Sequence, residues 1–289
     1  MAAGFGAGEV QAQPAGVATG PSWQVDGLAG WSAPSGLDGG GKVSVGRAFF
    51  GVGVSVPVGA GTAIGLSAGG GATDYTFSDG AQPLWSDIRD ARVSLPIRFG
   101  LGETTRAIII PSLRWSAETD ADLEDGQTEG VIAAVYWKLS DSLTIGPGLG
   151  VFSELTDDTD WFPFLAIDWA ITDRWSLSTG QGVGATQGPG LALSYQTTDA
   201  LSLGVAARYE STQFRLDDGG IAPGGIGESR SVPVVLTLDW RPNPGIGVSA
   251  FAGVETGAEL TLRDSDGSTV SQSDVDPAAI LGAQVIVRF

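Results

Sequence analysis

Apolar and polar side chains alternate along most of this chain with a period of two, the pattern of β-strands. From Ile88 to Gly100, the residues Ala91, Val93, Leu95, Ile97 and Phe99 share one face; Asp90, Arg92, Ser94, Pro96 and Arg98 share the other. In the next segment Ile109, Pro111, Leu113 and Trp115 oppose Ser112, Arg114 and Ser116. The apolar face recurs in Val131, Ala133, Val135, Trp137 and Leu139, in Leu201, Leu203, Val205, Ala207 and Tyr209, and in Val232, Val234, Leu236, Leu238 and Trp240.

A soluble sandwich would show the same period. Two features favour a membrane-spanning wall. The segments run to about ten residues or more, the length a tilted strand needs to cross a bilayer, whereas strands of soluble domains average about five or six. The face opposite the apolar one is rich in Gly, Ser and charge: Gly146, Gly148 and Gly150; Gly247, Ser249 and Gly253; Ser202, Gly204, Arg208 and Glu210. This is the lipid-out, polar-in alternation of a transmembrane barrel.

The connections alternate in length too. Short turns are predicted at Gly59–Gly61, Gly102–Thr105, Ser140–Ser142, Thr172–Arg174, Thr198–Ala200 and Arg241–Pro244. Longer polar loops are predicted at Ser78–Asp87, Thr119–Thr128, Leu155–Asp160, Gly184–Gly188, Arg215–Glu228 and Asp264–Asp276. The fold class is therefore all-β, a transmembrane antiparallel up-and-down β-barrel. It has about fourteen strands if Ser22–Ser32 is the first, and twelve otherwise. The barrel occupies residues 22–289, and residues 1–21 form a flexible leader. Met1–Gly20 lacks a basic start and an apolar stretch, so it does not read as a signal peptide, and the export signal is expected outside this sequence.

Aromatic residues gather at predicted strand ends. Trp137, Trp169 and Tyr195 each precede a Ser/Thr-Asp turn, and Trp175 follows one. With Phe99, Trp240 and Phe289 they would form a belt at one membrane interface, with Trp115 and Trp161 at the other. The final segment alternates through Ala279, Leu281, Ala283, Val285 and Val287 and stops on Phe289. It resembles the C-terminal recognition strand of bacterial outer-membrane β-barrel proteins, and the layout of Ser22–Phe289 resembles an uncharacterised, porin-like barrel family. The resemblance implies a bacterial outer-membrane location, a lipid surround and recognition of the last strand by the barrel-assembly machinery.

Composition narrows the chemistry. The 289 residues include no Cys and no His, which removes thiol chemistry and triads built on Ser-His or Cys-His. Lys and Arg number 15 against 33 Asp and Glu, so nucleic acid is not expected as a partner. A carboxylate pair could catalyse, but no pair stands out from the general loop acidity, and the chain is not expected to be an enzyme. The acidic groups Asp120, Asp122, Glu124 and Asp125, then Asp157, Asp158 and Asp160, then Asp264, Asp266, Asp274 and Asp276 read as solvated loops; none matches a complete calcium loop. No cofactor and no metal site are expected.

The inward face carries the functional signal. Its expected pore-lining residues are Arg92, Arg98, Arg114, Asp168, Arg208, Glu210, Asp239 and Glu255. If the turn centres on Glu103, Arg92 lies opposite Arg114, a like-charge pair that needs compensation. Asp90, Asp168, Glu210, Asp239 or Glu255 could supply it as an internal salt-bridge network, or the pair could attract anionic solutes. The inner Gly and Ser residues suggest unfilled volume. The expected function is a passive diffusion channel for small hydrophilic solutes, with a closed structural or surface-interaction barrel as the alternative. A carrier of apolar ligands finds no support in a sequence without a visible plug or apolar inner path.

Overall fold

The computed structural model describes residues 20–156, 158–179 and 190–289. Its strands form one closed antiparallel sheet. In chain order they are β1 (Ser22–Gly36), β2 (Lys42–Gly59), β3 (Thr62–Ser78), β4 (Ile88–Ser94), β5 (Ile97–Gly100), β6 (Thr105–Glu118), β7 (Gln127–Lys138), β8 (Leu143–Ser153) and β9 (Thr159–Ala170). Then follow β10 (Trp175–Thr179), β11 (Gly190–Thr198), β12 (Leu201–Arg208), β13 (Glu210–Arg215), β14 (Ile226–Asn243), β15 (Ile246–Arg263), β16 (Thr269–Val275) and β17 (Ala278–Arg288). The pairs β4/β5, β12/β13 and β16/β17 are single staves interrupted by short breaks, so the wall is an up-and-down barrel of 14 staves. β1 closes it against β17, from Gln24↔Arg288 to Ser32↔Ile280. Ser22–Ser32 is thus the first strand, extended to Gly36.

The breaks have local causes. Pro96 has no N–H to give to a ladder, yet the wall stays sealed there: Gly65 N donates to Pro96 O at 2.7 Å and Leu95 N to Pro111 O at 2.9 Å. The Asp276–Pro277 break is tied to β1 by the Ser35 hydroxyl, which donates to Asp276 O at 2.7 Å.

The outer face is apolar through the middle of the wall. Phe50 is 58% exposed, Leu66 51% and Leu236 66%, values that only a lipid surround makes favourable across a whole surface. Trp137, Trp169, Trp175, Trp240 and Phe289 are exposed beside the short turns, and Trp161 near the long loops. Trp23 and Trp31 on β1 are exposed as well and extend the aromatic set.

Several strands outlast the bilayer. β2, β14 and β15 each have 18 residues, well beyond the roughly ten a crossing needs. On their loop-end extensions the face continuous with Val234 and Leu236 turns ionic. Arg263 Nη2 stands 3.2 Å from Glu228 Oε2, and Arg230 pairs with Glu228. The Asp264–Asp276 segment, expected to be a loop, is a tight turn followed by β16, because Val270, Thr269 and Val275 favour a strand even outside the membrane. β14 likewise starts at Ile226, inside the expected Arg215–Glu228 loop. The expected Gly184–Gly188 loop lies outside the described residues, as does most of the leader. On β15 a bulge with Gly257 at φ 58° shifts the register between Val232↔Thr256 and Arg230↔Glu259, so that Glu255 below it and Leu260 above it both turn inward.

Candidate functional site: the barrel interior

β13 keeps its ladder to β14, and its far end also reaches another part of the wall. Arg215 forms a parallel bridge to Ala117 of β6, joining the eleventh stave to the fifth across the bore. Arg215 also donates from Nε to Asp125 O at 3.1 Å, which pins β13 to the short 3-10 turn after β6. The loop end of the bore is thereby divided.

On one side of the division lies an apolar cluster. Trp85, Ile88, Phe214, Leu216, Leu260 and Leu262 are buried there with Val43 and Val45, and Tyr75 and Phe77 pack against them. Trp85 meets Phe214 edge-on at 5.0 Å between ring centroids and Tyr75 at 5.4 Å. Trp85 and Leu216 come from the two loops expected to be polar. Glu118, 4% exposed at the end of β6, holds both loops: its Oε1 accepts from Ser86 N at 2.5 Å and its Oε2 from Asp217 N at 2.7 Å. The interior therefore has an apolar plug, contrary to the sequence expectation. The missed signal is Leu84-Trp85, two large apolar residues inside an otherwise polar loop.

Below the cluster the inner wall is charged. Arg47 Nη2 lies 3.1 Å from Glu255 Oε1, and Glu255 also accepts the Ser231 hydroxyl at 2.8 Å. Arg208 pairs with Glu210. Asp239 accepts the Thr237 hydroxyl at 3.1 Å and the Ser249 hydroxyl at 2.5 Å. Arg92 stands directly across from Arg114 in the β4–β6 ladder, as the Glu103-centred turn requires. Asp26 on β1 supplies the attractive field at Arg92, and the Arg114 guanidinium lies 4.3 Å above the Phe152 ring. Three of the carboxylates expected to compensate the pair have partners of their own: Glu255 with Arg47, Glu210 with Arg208, and Asp90 with the Ser116 hydroxyl at 2.7 Å. Arg98 faces inward nearer the short turns, on β5, and Asp168 faces inward on β9, opposite Thr144 and Ser178. Arg47, Asp26 and Glu118 also belong to this interior, though no sequence pattern singled them out. The alternation Val43, Val45, Arg47, Phe49 places Arg47 on an inner face, but only the folded wall shows which carboxylate it meets.

At Gly148, Gly150 and Gly130 no empty volume is left, which corrects the expectation at these positions. A Cβ on Gly148 would lie 2.2 Å from the Phe164 ring, on Gly150 2.4 Å from Phe162, and on Gly130 2.1 Å from Phe152. Each glycine seats a neighbouring ring, and Phe152 and Phe162 stack with centroids 5.9 Å apart. Between β13 and the β6–β8 wall a cavity of about 50 Å³ remains, lined in part by Asp90, Arg114, Thr128 and Thr212.

Two of the loop carboxylates serve their own turns. Asp122 Oδ1 accepts from Glu124 N at 3.0 Å, and Asp264 Oδ1 from Asp266 N and Ser268 N at 3.0 and 2.8 Å. Asp157 lies outside the described residues. At the rim Lys42 Nζ is 2.7 Å from Asp79 Oδ2, a hydrogen bond that raises the lysine's pKa.

No protein-family profile matches the chain, and no curated protein matches it. Solved structures do. The COG4313 outer membrane channel from Pseudomonas putida F1 superposes over 94% of this chain and 96% of its own, with a TM-score of 0.52 at 9% identity. The chain shares the closed β-barrel fold of that protein. A Pseudomonas aeruginosa FadL homologue covers 92% of this chain and 89% of its own, at 12% identity and a TM-score of 0.44. The NanC porin covers 90% and 98%, at 11% identity and a TM-score of 0.35; these two scores are too low to refine the comparison.

Proposed function

We propose that the protein is a passive diffusion channel of a bacterial outer membrane, admitting small hydrophilic solutes. The observation that carries this reading is the belt of charged side chains around the inner wall: Arg47, Arg92, Arg114, Arg208, Glu210 and Glu255. Charges are costly to hold in a dry interior even when paired, as Arg47 is with Glu255 and Arg208 with Glu210, so an inner face that carries this many is suited to water and polar solutes. Fourteen staves also enclose more room than the eight-stranded case that side chains alone can fill. Arg92, Arg98, Arg114, Asp168, Arg208, Glu210, Asp239 and Glu255 are the residues assigned to the path. No catalytic role and no cofactor are assigned to any of them.

A closed structural barrel is the second reading, and one observation favours it: the Trp85–Phe214 cluster packs one side of the loop-end mouth. Planar-bilayer recording separates the two. Discrete, ohmic conductance steps from the purified protein support the channel. A silent bilayer, with the protein shown to be folded and inserted, supports the closed barrel.

A further inference from the structure

We propose that the cavity between β13 and the β6–β8 wall is a binding site for a small primary ammonium cation. Asp90 is 8% exposed and lines this cavity. Its Oδ1 accepts the Ser116 hydroxyl at 2.7 Å, whereas its Oδ2 accepts no hydrogen bond among the described residues. A buried carboxylate oxygen without a donor is unfavourable, and a donor delivered from solution removes that cost. The surrounding groups suit a donor that is itself a cation. Glu154 and Asp160 share the cavity wall with Asp90, against the single guanidinium of Arg114, which is engaged with the Phe152 ring. Ser116, Thr128, Ser211 and Thr212 add hydroxyl oxygens that can accept.

An ammonium carries three donors and no acceptor, which matches an oxygen-rich, net acidic pocket. The volume, about 50 Å³, exceeds the roughly 10–15 Å³ that one water needs and suits a head group no larger than methylammonium. A metal ion fits less well, since among the described residues no three carboxylates group as ligands. Binding at this site does not depend on the channel reading; if the barrel conducts, the site lies beside its loop-end mouth.

Saturation-transfer NMR of methylammonium with the full chain in detergent micelles tests the proposal without requiring an open pore. Saturable transfer is expected, displaced by ammonium and not by equal potassium. Asp90→Asn, which keeps the shape and removes the charge, should weaken binding about tenfold or more. Ser211→Phe, which fills the cavity from the opposite wall, should abolish it, so the test survives if Asp90→Asn fails to fold. Asp141→Asn, in an exposed turn, is the control. Absence of saturable transfer, equal displacement by potassium, or binding unchanged in both cavity variants would overturn the site. None of these results bears on conductance, which is read separately in bilayers.

Discussion

Arg47 shows how strongly single inner-wall residues depend on their partners. Its guanidinium and the Glu255 carboxylate are both largely buried, with side-chain exposures of 13% and 6%. Removing one member of a buried pair leaves the other charged and unpaired, a loss of about 3–5 kcal/mol. Glu255→Ala is therefore expected to lower stability by that amount in urea titrations from lipid vesicles, while Glu255→Gln, which can still accept from Arg47 and Ser231, loses less. A loss equal to that of an exposed charge such as Asp141 would show that water already screens the pair. Gly148 and Gly150 make the complementary point. Their lack of a side chain lets Phe164 and Phe162 lie flat on the wall, so a small residue in the sequence marks a filled position.

At the scale of elements, the wall and its attachments behave differently. The staves are held by continuous ladders and a lipid-facing surface, whereas the two inward loops hang on the Glu118 carboxylate. Glu118→Ala removes the acceptor of both Ser86 N and Asp217 N. Amide exchange at these two positions is expected to accelerate about tenfold or more while β6 stays protected, since loops with few other bonds open locally at low cost. If the apolar cluster restricts flow, single-channel conductance should rise in the same variant. Unchanged exchange would mean that the Trp85–Phe214 packing alone holds the loops. β17 is the other decisive element. It closes the barrel against β1, and Phe289 N and O bond the backbone of Trp23 at 3.0 and 3.1 Å. Phe289→Asp places a charge at the interface end of the seam and alters the terminal residue of the strand that, on its resemblance to a C-terminal recognition strand, we propose the assembly machinery reads. Outer-membrane levels should fall several-fold in cells, and normal levels would show that the terminal aromatic is not used.

For the whole molecule the sign of the net charge is a poor guide to the field inside. The formal charge is -18, yet much of the acidity sits in loops, where salt screens it over about 8 Å. Inside the wall, Arg92 faces Arg114 with Asp26 as a nearby carboxylate, all three largely buried, and if the barrel conducts they set the field that a solute meets there. Replacing both arginines by Ser is expected to shift the reversal potential in a salt gradient toward cations, with the folded yield little changed. Unaltered selectivity with reduced stability would assign the pair to the internal charge network alone.

The alternation of residues such as Val93, Leu95 and Ile97 with Arg92, Ser94 and Arg98 was enough to establish strands, their facing and a membrane setting, because a period of two is a local property and a one-residue slip would expose every charge to lipid. The turn at Glu103 was likewise legible, and through it the Arg92–Arg114 register, since a hairpin of known centre leaves no freedom in pairing. What the chain could not disclose locally were contacts made across the bore. The Arg47–Glu255 pair joins residues 208 positions apart, and the bridge from Arg215 to Ala117 joins staves with no shared turn. Whether Trp85 points to solvent or into the mouth depends on Glu118 and Phe214 arriving from other staves. Closure of the barrel brings these groups together, and only the closed wall decides which charges are paired, which glycines carry rings and where a cavity remains.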